Sequence, residues 1–234
     1  MGATVCDAVE GADDLELVAR LDQGDAITAE TLNGAEAAIE FTVPSQTEEN
    51  VHALLDAGVD VVVGTTGWTD ESYGRVREHA DRAGRSALIA PNFSLSAVLA
   101  MALAAKAAPY FESAEVIELH HPDKVDAPSG TAVATAKGIA AARTAAGLGP
   151  SPDATTQDPD GARGANVDGV HVHAVRLRGL VAHEEVLMGN PGEQLTIRTD
   201  SFDRISFMPG VLLAARQVGE RPGLTVGLDP LLGL

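Results

Sequence analysis

Residues 37–67 read AAIEFTVPSQTEENVHALLDAGVDVVVGTTG, and the order of their patterns decides the fold. AAIEFT reads as a strand that Pro44 stops. Ser45 is a good N-cap for a helix over QTEENVHALLDAG. VDVVVGTTG then reads as a buried strand running into a Gly/Thr turn. Just beyond, Thr69 can cap a helix over DESYGRVREHADRAG, and SALIAPN supplies the next strand. Strand, helix, strand, helix at this spacing means a parallel sheet with crossover helices. Ligands of such sheets gather at the carboxyl ends of the strands.

Upstream, ATVCDAVEGA reads as a helix ending near Gly11, and LELVARLD as a strand ending at Asp22. Downstream the pattern changes after Asn92. SLSAVLAMALAAKAAPYF is a long helix, AEVIELHH a strand and GTAVATAKGIAAARTAAG a second helix. From Pro150 to Gly169 the chain is rich in Pro, Gly and Asp and reads as a long loop. Three strand-like runs follow, VHVHAVRLRG, HEEVLMG and EQLTIRTDS, before a terminal helix in PGVLLAARQVGERPG. The expected architecture is α/β: a Rossmann-like parallel-sheet domain with an α+β domain, built on a mixed sheet, inserted into it. The expected division is 1–92 and 204–234 for the first domain and 93–203 for the second.

Composition bounds the function. The chain has 234 residues, a formal charge of -18, 45% apolar residues and only 3% aromatic ones. Its core must therefore be built mostly of Ala, Val and Leu. So acidic a surface repels phosphate backbones, which argues against nucleic acid as a partner. No apolar run reaches the roughly 20 residues that span a bilayer, and the start MGATVCDAVEG lacks the regions of a signal peptide. A cytoplasmic protein is expected. Cys6 is the only cysteine, which leaves no internal disulfide and no Cys-based metal cluster. Without a basic neighbour, in an apolar helix, it reads as an inert core thiol.

The chemistry concentrates in ELHHPDKVDAPSGTA, residues 118–132. The stretch holds one of three lysines and two of seven histidines. His120 and His121 end a strand, Pro122 fixes a turn, and Lys124 can fold back over it. Ser129 or Thr131 lies near the N-cap of the next helix, whose free N–H groups suit a carboxylate or phosphate. Gly130 lets a ligand approach the backbone. Imidazole, ammonium and amide donors thus gather at one point, a site for a small anion with an acid or base beside it. The bland alternative is a capped helix after a polar turn, with Lys124 solvated. Three donor types in one short stretch of so acidic a chain weigh against it.

Together with FTVP, VVGTTGW, LIAPNFS and SFDRISFMPGVLL, in that order, this stretch resembles the 4-hydroxy-tetrahydrodipicolinate reductase (dihydrodipicolinate reductase) family. The resemblance covers essentially the whole chain. It implies a nicotinamide-dependent enzyme of lysine and diaminopimelate synthesis, using NADH or NADPH. It also implies that His120 is the acid/base residue and that Lys124 is a proton donor that holds a substrate carboxylate. By the same resemblance His121 contacts the substrate, and Gly130 and Thr131 bind a carboxylate. Gly64, Thr65 and Thr66, with Ala90, Pro91, Asn92 and Phe93, would line the nicotinamide. Both groups lie at strand ends, where the pattern had already placed a ligand. Asp22 ends the second family strand, where an acid can accept from the adenosine ribose hydroxyls, or it is a helix cap or a solvated turn charge; the first reading leans toward NADH because an acid repels a 2′-phosphate, and basic residues in the turn that precedes Gly2 in the family would reverse it.

The chain departs from the family at its start. Members open with an apolar strand and a G-x-x-G-x-x-G turn. Here Gly2 matches only the last glycine of that turn. The expectation is an N-terminally truncated nucleotide domain with two unpaired strand edges. The rival to the reductase is a non-catalytic homologue that keeps the second domain but binds the cofactor poorly.

His171 and His173 share one strand face and His183 lies at a turn. They read as sheet or interface residues, and no metal site is expected. For assembly, the Ala-rich helix is expected to cover one face of the second sheet. Val172, Ala174, Leu177, Val186, Leu195 and Ile197 are assigned to the other face, to be covered by another subunit. The resemblance implies a tetramer. The expected partners are a small dicarboxylate substrate and further copies of the chain, as a homotetramer joined through its second domain.

Overall fold

The computed structural model describes residues 1–234. The chain forms two compact units, 1–95 with 204–234, and 96–203.

In the first unit, β1 (Ala37–Glu40), β2 (Asp60–Val63), β3 (Ser86–Ile89) and the late strand β9 (Gly223–Val226) form one parallel sheet in the order β1-β2-β3-β9. Val61, Val62, Val63, Leu88 and Ile89 are buried, as strands covered on both faces require. The crossover helices are α2 (Thr47–Asp56) and α3 (Asp70–Ala83). Val51, Leu54 and Leu55 of α2 and Val76 and Ala80 of α3 close the core over the sheet. Thr69 caps α3 reciprocally with Ser72, and Gly84 ends it in the left-handed region at φ 62°. The first helix, α1 (Gly2–Glu10), stops at Gly11 as its pattern requires.

The structure corrects several expectations. Residues 15–22 form no strand, because no neighbouring strand offers them a ladder. The side chains around them are held instead by ion pairs, Arg20 with Glu10 and Arg216 with Asp14. One edge of β1 is correspondingly unpaired, since β2 is its only neighbour. The N-cap of α2 is Gln46, not Ser45, and no side chain caps it. Cys6 is half-buried on α1 rather than a core thiol. The strand β9 lies beyond the helix α6 (Met208–Gln217) expected to end the chain, in LTV flanked by glycines, too short to show a period, and a short helix, α7 (Asp229–Leu232), follows it.

In the second unit, α4 (Leu95–Ala107) leads into β4 (Ser113–His120) and α5 (Gly130–Ala145). The strands β5 (Ala165–Val167), β6 (Val170–Arg176), β7 (Ala182–Asn190) and β8 (Glu193–Ser201) complete a sheet ordered β5-β6-β4-β7-β8. Only β4 and β6 run parallel, so the sheet is mixed. The short strand β5 falls inside the segment expected to be all loop. It pairs with β6 across a tight turn at Asp168 and Gly169, both at positive φ.

The helix α5 packs through Ala132, Ala136, Ile139 and Ala140 onto Val116, Val172, Val186 and Met188. Leu195 and Ile197 pack against the same cluster. Val172, Val186, Leu195 and Ile197 therefore lie on the helix-covered face, not the opposite one as expected. Register decides it: Val116 opposes Val186, which opposes Ile197. The opposite face is polar-laced instead, with Glu115 bonded to His173 and Arg163, and Arg198 bonded to Glu185 and Asp200.

Candidate active site

Strand β4 alternates, so Ala114, Val116 and Glu118 all turn toward α5. Glu118 is fully buried at 0% exposure. Both its oxygens are saturated. One accepts from His120 Nδ1 at 2.5 Å and Arg176 at 2.7 Å. The other accepts from Arg176 at 2.8 Å and the Ser129 backbone N–H at 3.0 Å. Burial works to raise the Glu118 pKa, but the Arg176 and His120 hydrogen bonds outweigh it and hold the carboxyl below its ordinary value. Burial likewise pushes the His120 pKa down, helped by the charges of Lys124 and Arg176, while Glu118 pulls it up. The net shift is downward, so the unliganded imidazole is neutral at pH 7.

After β4 the chain turns, with Lys124 N–H donating to the His121 carbonyl at 3.3 Å. Lys124 Nζ donates to Asp126 at 2.7 Å, and Arg176 also donates to the Asp126 carbonyl at 2.7 Å. Ser129 caps α5 by accepting from Ala132 N–H at 3.1 Å. The Gly130 N–H adds to the pull that lowers the Asp126 pKa, behind Lys124. Gly130 has open space on its Cβ side, and Thr131 follows in the first turn. One hydrogen-bonded cluster thus joins His120, Lys124 and the N-terminus of α5. His121 is exposed and outside it. Glu118, Arg176 and Asp126 were not assigned from sequence. A Glu at the buried parity of an apolar strand was the signal for the first. Arg176 is distant in the chain and carried none.

In the first unit, Gly64–Thr66 and Ala90–Phe93 leave the sheet side by side, since β2 and β3 end in register at Val63 and Ile89. A Cβ on Gly64 would meet the Phe41 ring at 2.0 Å, so close approach explains this glycine. Phe41 packs on Phe93 with ring centroids 5.7 Å apart. Thr65 accepts from Thr42 N–H at 2.8 Å. Ala90 is buried, Pro91 and Thr66 are exposed, and Asn92 accepts from Ser94 N–H at 2.9 Å. Gly2 opens α1, whose N-terminus has no side-chain cap and no acidic residue in its first turn. Asp22 ends no strand. It lies in an exposed turn and accepts from Gln23 N–H at 2.7 Å. No group of three or more His, Cys, Asp or Glu is arranged to hold a metal, and no helix is long and apolar enough to cross a membrane.

A parallel sheet with a ligand-ready carboxyl edge in one unit and a His–Lys anion site in the other define the class, a two-unit nucleotide-dependent oxidoreductase. Residues 1–93 match the family description "Dihydrodipicolinate reductase, N-terminus" and residues 96–232 match "Dihydrodipicolinate reductase, C-terminus". The chain belongs to the dihydrodipicolinate reductase family. The 4-hydroxy-tetrahydrodipicolinate reductase of Beutenbergia cavernae is 66% identical over 100% of this chain and 95% of its own length. That of Bifidobacterium animalis subsp. lactis is 64% identical with the same coverage. A solved structure, dipicolinate-bound dihydrodipicolinate reductase from Paenisporosarcina sp. TG-14, superposes with a TM-score of 0.87. It is 36% identical and is matched over 98% of this chain and 94% of its own. Likeness of this extent favours the reductase over a non-catalytic homologue.

Proposed function

We propose that His120 is the acid/base residue in the reduction of 4-hydroxy-tetrahydrodipicolinate, a small cyclic dicarboxylate, to tetrahydrodipicolinate. The observation that carries this role is the single cluster joining His120, Lys124 and the N-terminus of α5. In the net reaction a hydride and a proton enter and water leaves. When bound, NADH or NADPH supplies the hydride. Lys124 and the N–H groups of Gly130 and Thr131 neutralise and orient a substrate carboxylate. His121 contacts the substrate from the exposed side. His120 is neutral when the site is free, and the negative charge of a bound dicarboxylate raises its pKa, so the acid is charged with its proton as substrate arrives.

Gly64, Thr65, Thr66, Ala90, Pro91, Asn92 and Phe93, at the strand ends, would hold the cofactor. Gly2 and the uncapped start of α1 suit its pyrophosphate. Asp22 ends no strand, so its ribose role rests on the family resemblance alone, and either NADH or NADPH would serve. In the same reading the chain works in the cytoplasm as a homotetramer assembled through residues 93–203.

His120→Ala and Lys124→Ala should each lower turnover by about 10²–10⁴-fold with the circular dichroism spectrum unchanged. Near-normal turnover in both would overturn the roles.

A further inference from the structure

We propose that Glu118 is the positioning residue for His120: its buried carboxylate fixes the imidazole with its proton on Nδ1 and leaves Nε2 as the atom that exchanges protons. The proposal rests on the acid/base role of His120 and adds which nitrogen acts and what sets it.

Proton counting decides the orientation. Glu118 faces four donor contacts: two from the Arg176 guanidinium, one from the Ser129 N–H and one from His120 Nδ1. Guanidinium and amide N–H groups cannot accept a hydrogen bond. A protonated Glu118 could donate only to His120 Nδ1, and its forked pair with Arg176 would lose its charge. The carboxylate is therefore ionised and Nδ1 carries the hydrogen. His120 Nε2 has no protein partner, and the side chain is 14% exposed. A neutral imidazole held this way presents a lone pair at Nε2. A protonated one presents an N–H there, with its new charge against Glu118.

The same carboxylate reaches Ser129, the N-cap of α5. One buried anion thus ties the proton-exchanging ring to the helix terminus that holds the substrate carboxylate, and their spacing is set before substrate binds. The placement follows from strand parity. Residues 118 and 120 share a face, so the acid needs no loop to reach the ring.

Nitrogen-15 spectra of the full-length, histidine-labelled protein test this directly, with His120 assigned by comparison with His120→Gln. Above its pKa, wild-type His120 should show the Nδ1–H tautomer. An Nε2–H tautomer would overturn the proposal without any variant. In Glu118→Gln the tautomers should mix. The pH above which kcat falls on the alkaline side should move down by about one unit. Turnover should drop about 10²-fold with KM changed less than about threefold. A Glu118→Gln protein that is less heat-stable but keeps the wild-type tautomer and pH profile would reduce Glu118 to a structural ion-pair partner. Loss of the acid/base role itself reads out separately, as turnover retained in His120→Ala whatever the tautomer.

Discussion

Asp126 occupies the groups assigned to substrate. Its carboxylate takes Lys124 at 2.7 Å, and the Gly130 N–H lowers its pKa. A substrate carboxylate must displace it from both. Removing its charge should help an inhibitor in, by the modest amount an exposed ion pair is worth. Asp126→Asn should tighten binding of pyridine-2,6-dicarboxylate by about 2–5-fold in calorimetry; weaker binding would mean that Asp126 holds Lys124 in place rather than competing. Glu184 is a second acid with an unusual state. It opposes Glu118 across β4 and β7 and is buried at 5% exposure. Burial first, then the charge of Glu118, pushes its pKa up. Thr135 has one hydroxyl hydrogen for two neighbours, the Thr131 carbonyl at 3.0 Å and Glu184 at 2.7 Å. A protonated Glu184 can donate to Thr135 and satisfy all three. An acid whose folded pKa is raised adds stability below its unfolded pKa, near 4.5, and loses it as pH rises through the folded value. Glu184→Gln should therefore leave Tm nearly unchanged at pH 4 and raise it by about 2–4 °C at pH 8, followed by calorimetry.

Elements were legible where a local signal closed on itself. The helix α3 announces both ends, with Thr69 before it and Gly84 after, and the structure has both caps. The paired strand ends at Gly64 and Ala90 follow from the βαβ pattern alone. What stayed hidden depends on a distant partner. LELVARLD has the composition of a strand, yet no strand stands beside it, and composition cannot report a missing neighbour. Arg176 belongs to the site only because β6 runs parallel to β4 and brings residue 176 opposite His120. The apolar residues of β6 to β8 were given the wrong face because facing needs register, and register is set between strands. Gly64 was read as lining for the nicotinamide; the structure adds that the Phe41 ring fills the place of its Cβ. Gly64→Ala must move Phe41, and with it the contact to Phe93. Overpacking of this kind costs about 1–3 kcal/mol. A lower Tm with NADH affinity reduced severalfold is expected from calorimetry, and unchanged affinity would remove this turn from the cofactor site.

At the scale of the molecule, the formal charge of -18 bears on the proposed assembly. Copies of so acidic a chain repel one another unless their contact surfaces pair charges. The outer face of the second sheet has that character, with Glu115 against Arg163 and Arg198 against Glu185 and Asp200. Those pairs lie within one chain, so the face is polar but locally neutralised, unlike the apolar contact expected from sequence. Light scattering at micromolar concentration should give four copies at 0.1 M salt and an assembly at least as tight at 1 M, where a Debye length of about 3 Å screens the repulsion between copies. A monomer at both salts would rule the tetramer out.

The strand β9 pairs with β3, yet the whole second unit is encoded between them. A ribosome therefore releases residues 96–203 as a finished, contiguous piece while the first sheet still lacks its last strand. Domains fold as units during synthesis, and long-range pairings close last. The unit that carries His120 and Lys124 can mature first, and the parallel sheet waits half-built for the final thirty or so residues of translation.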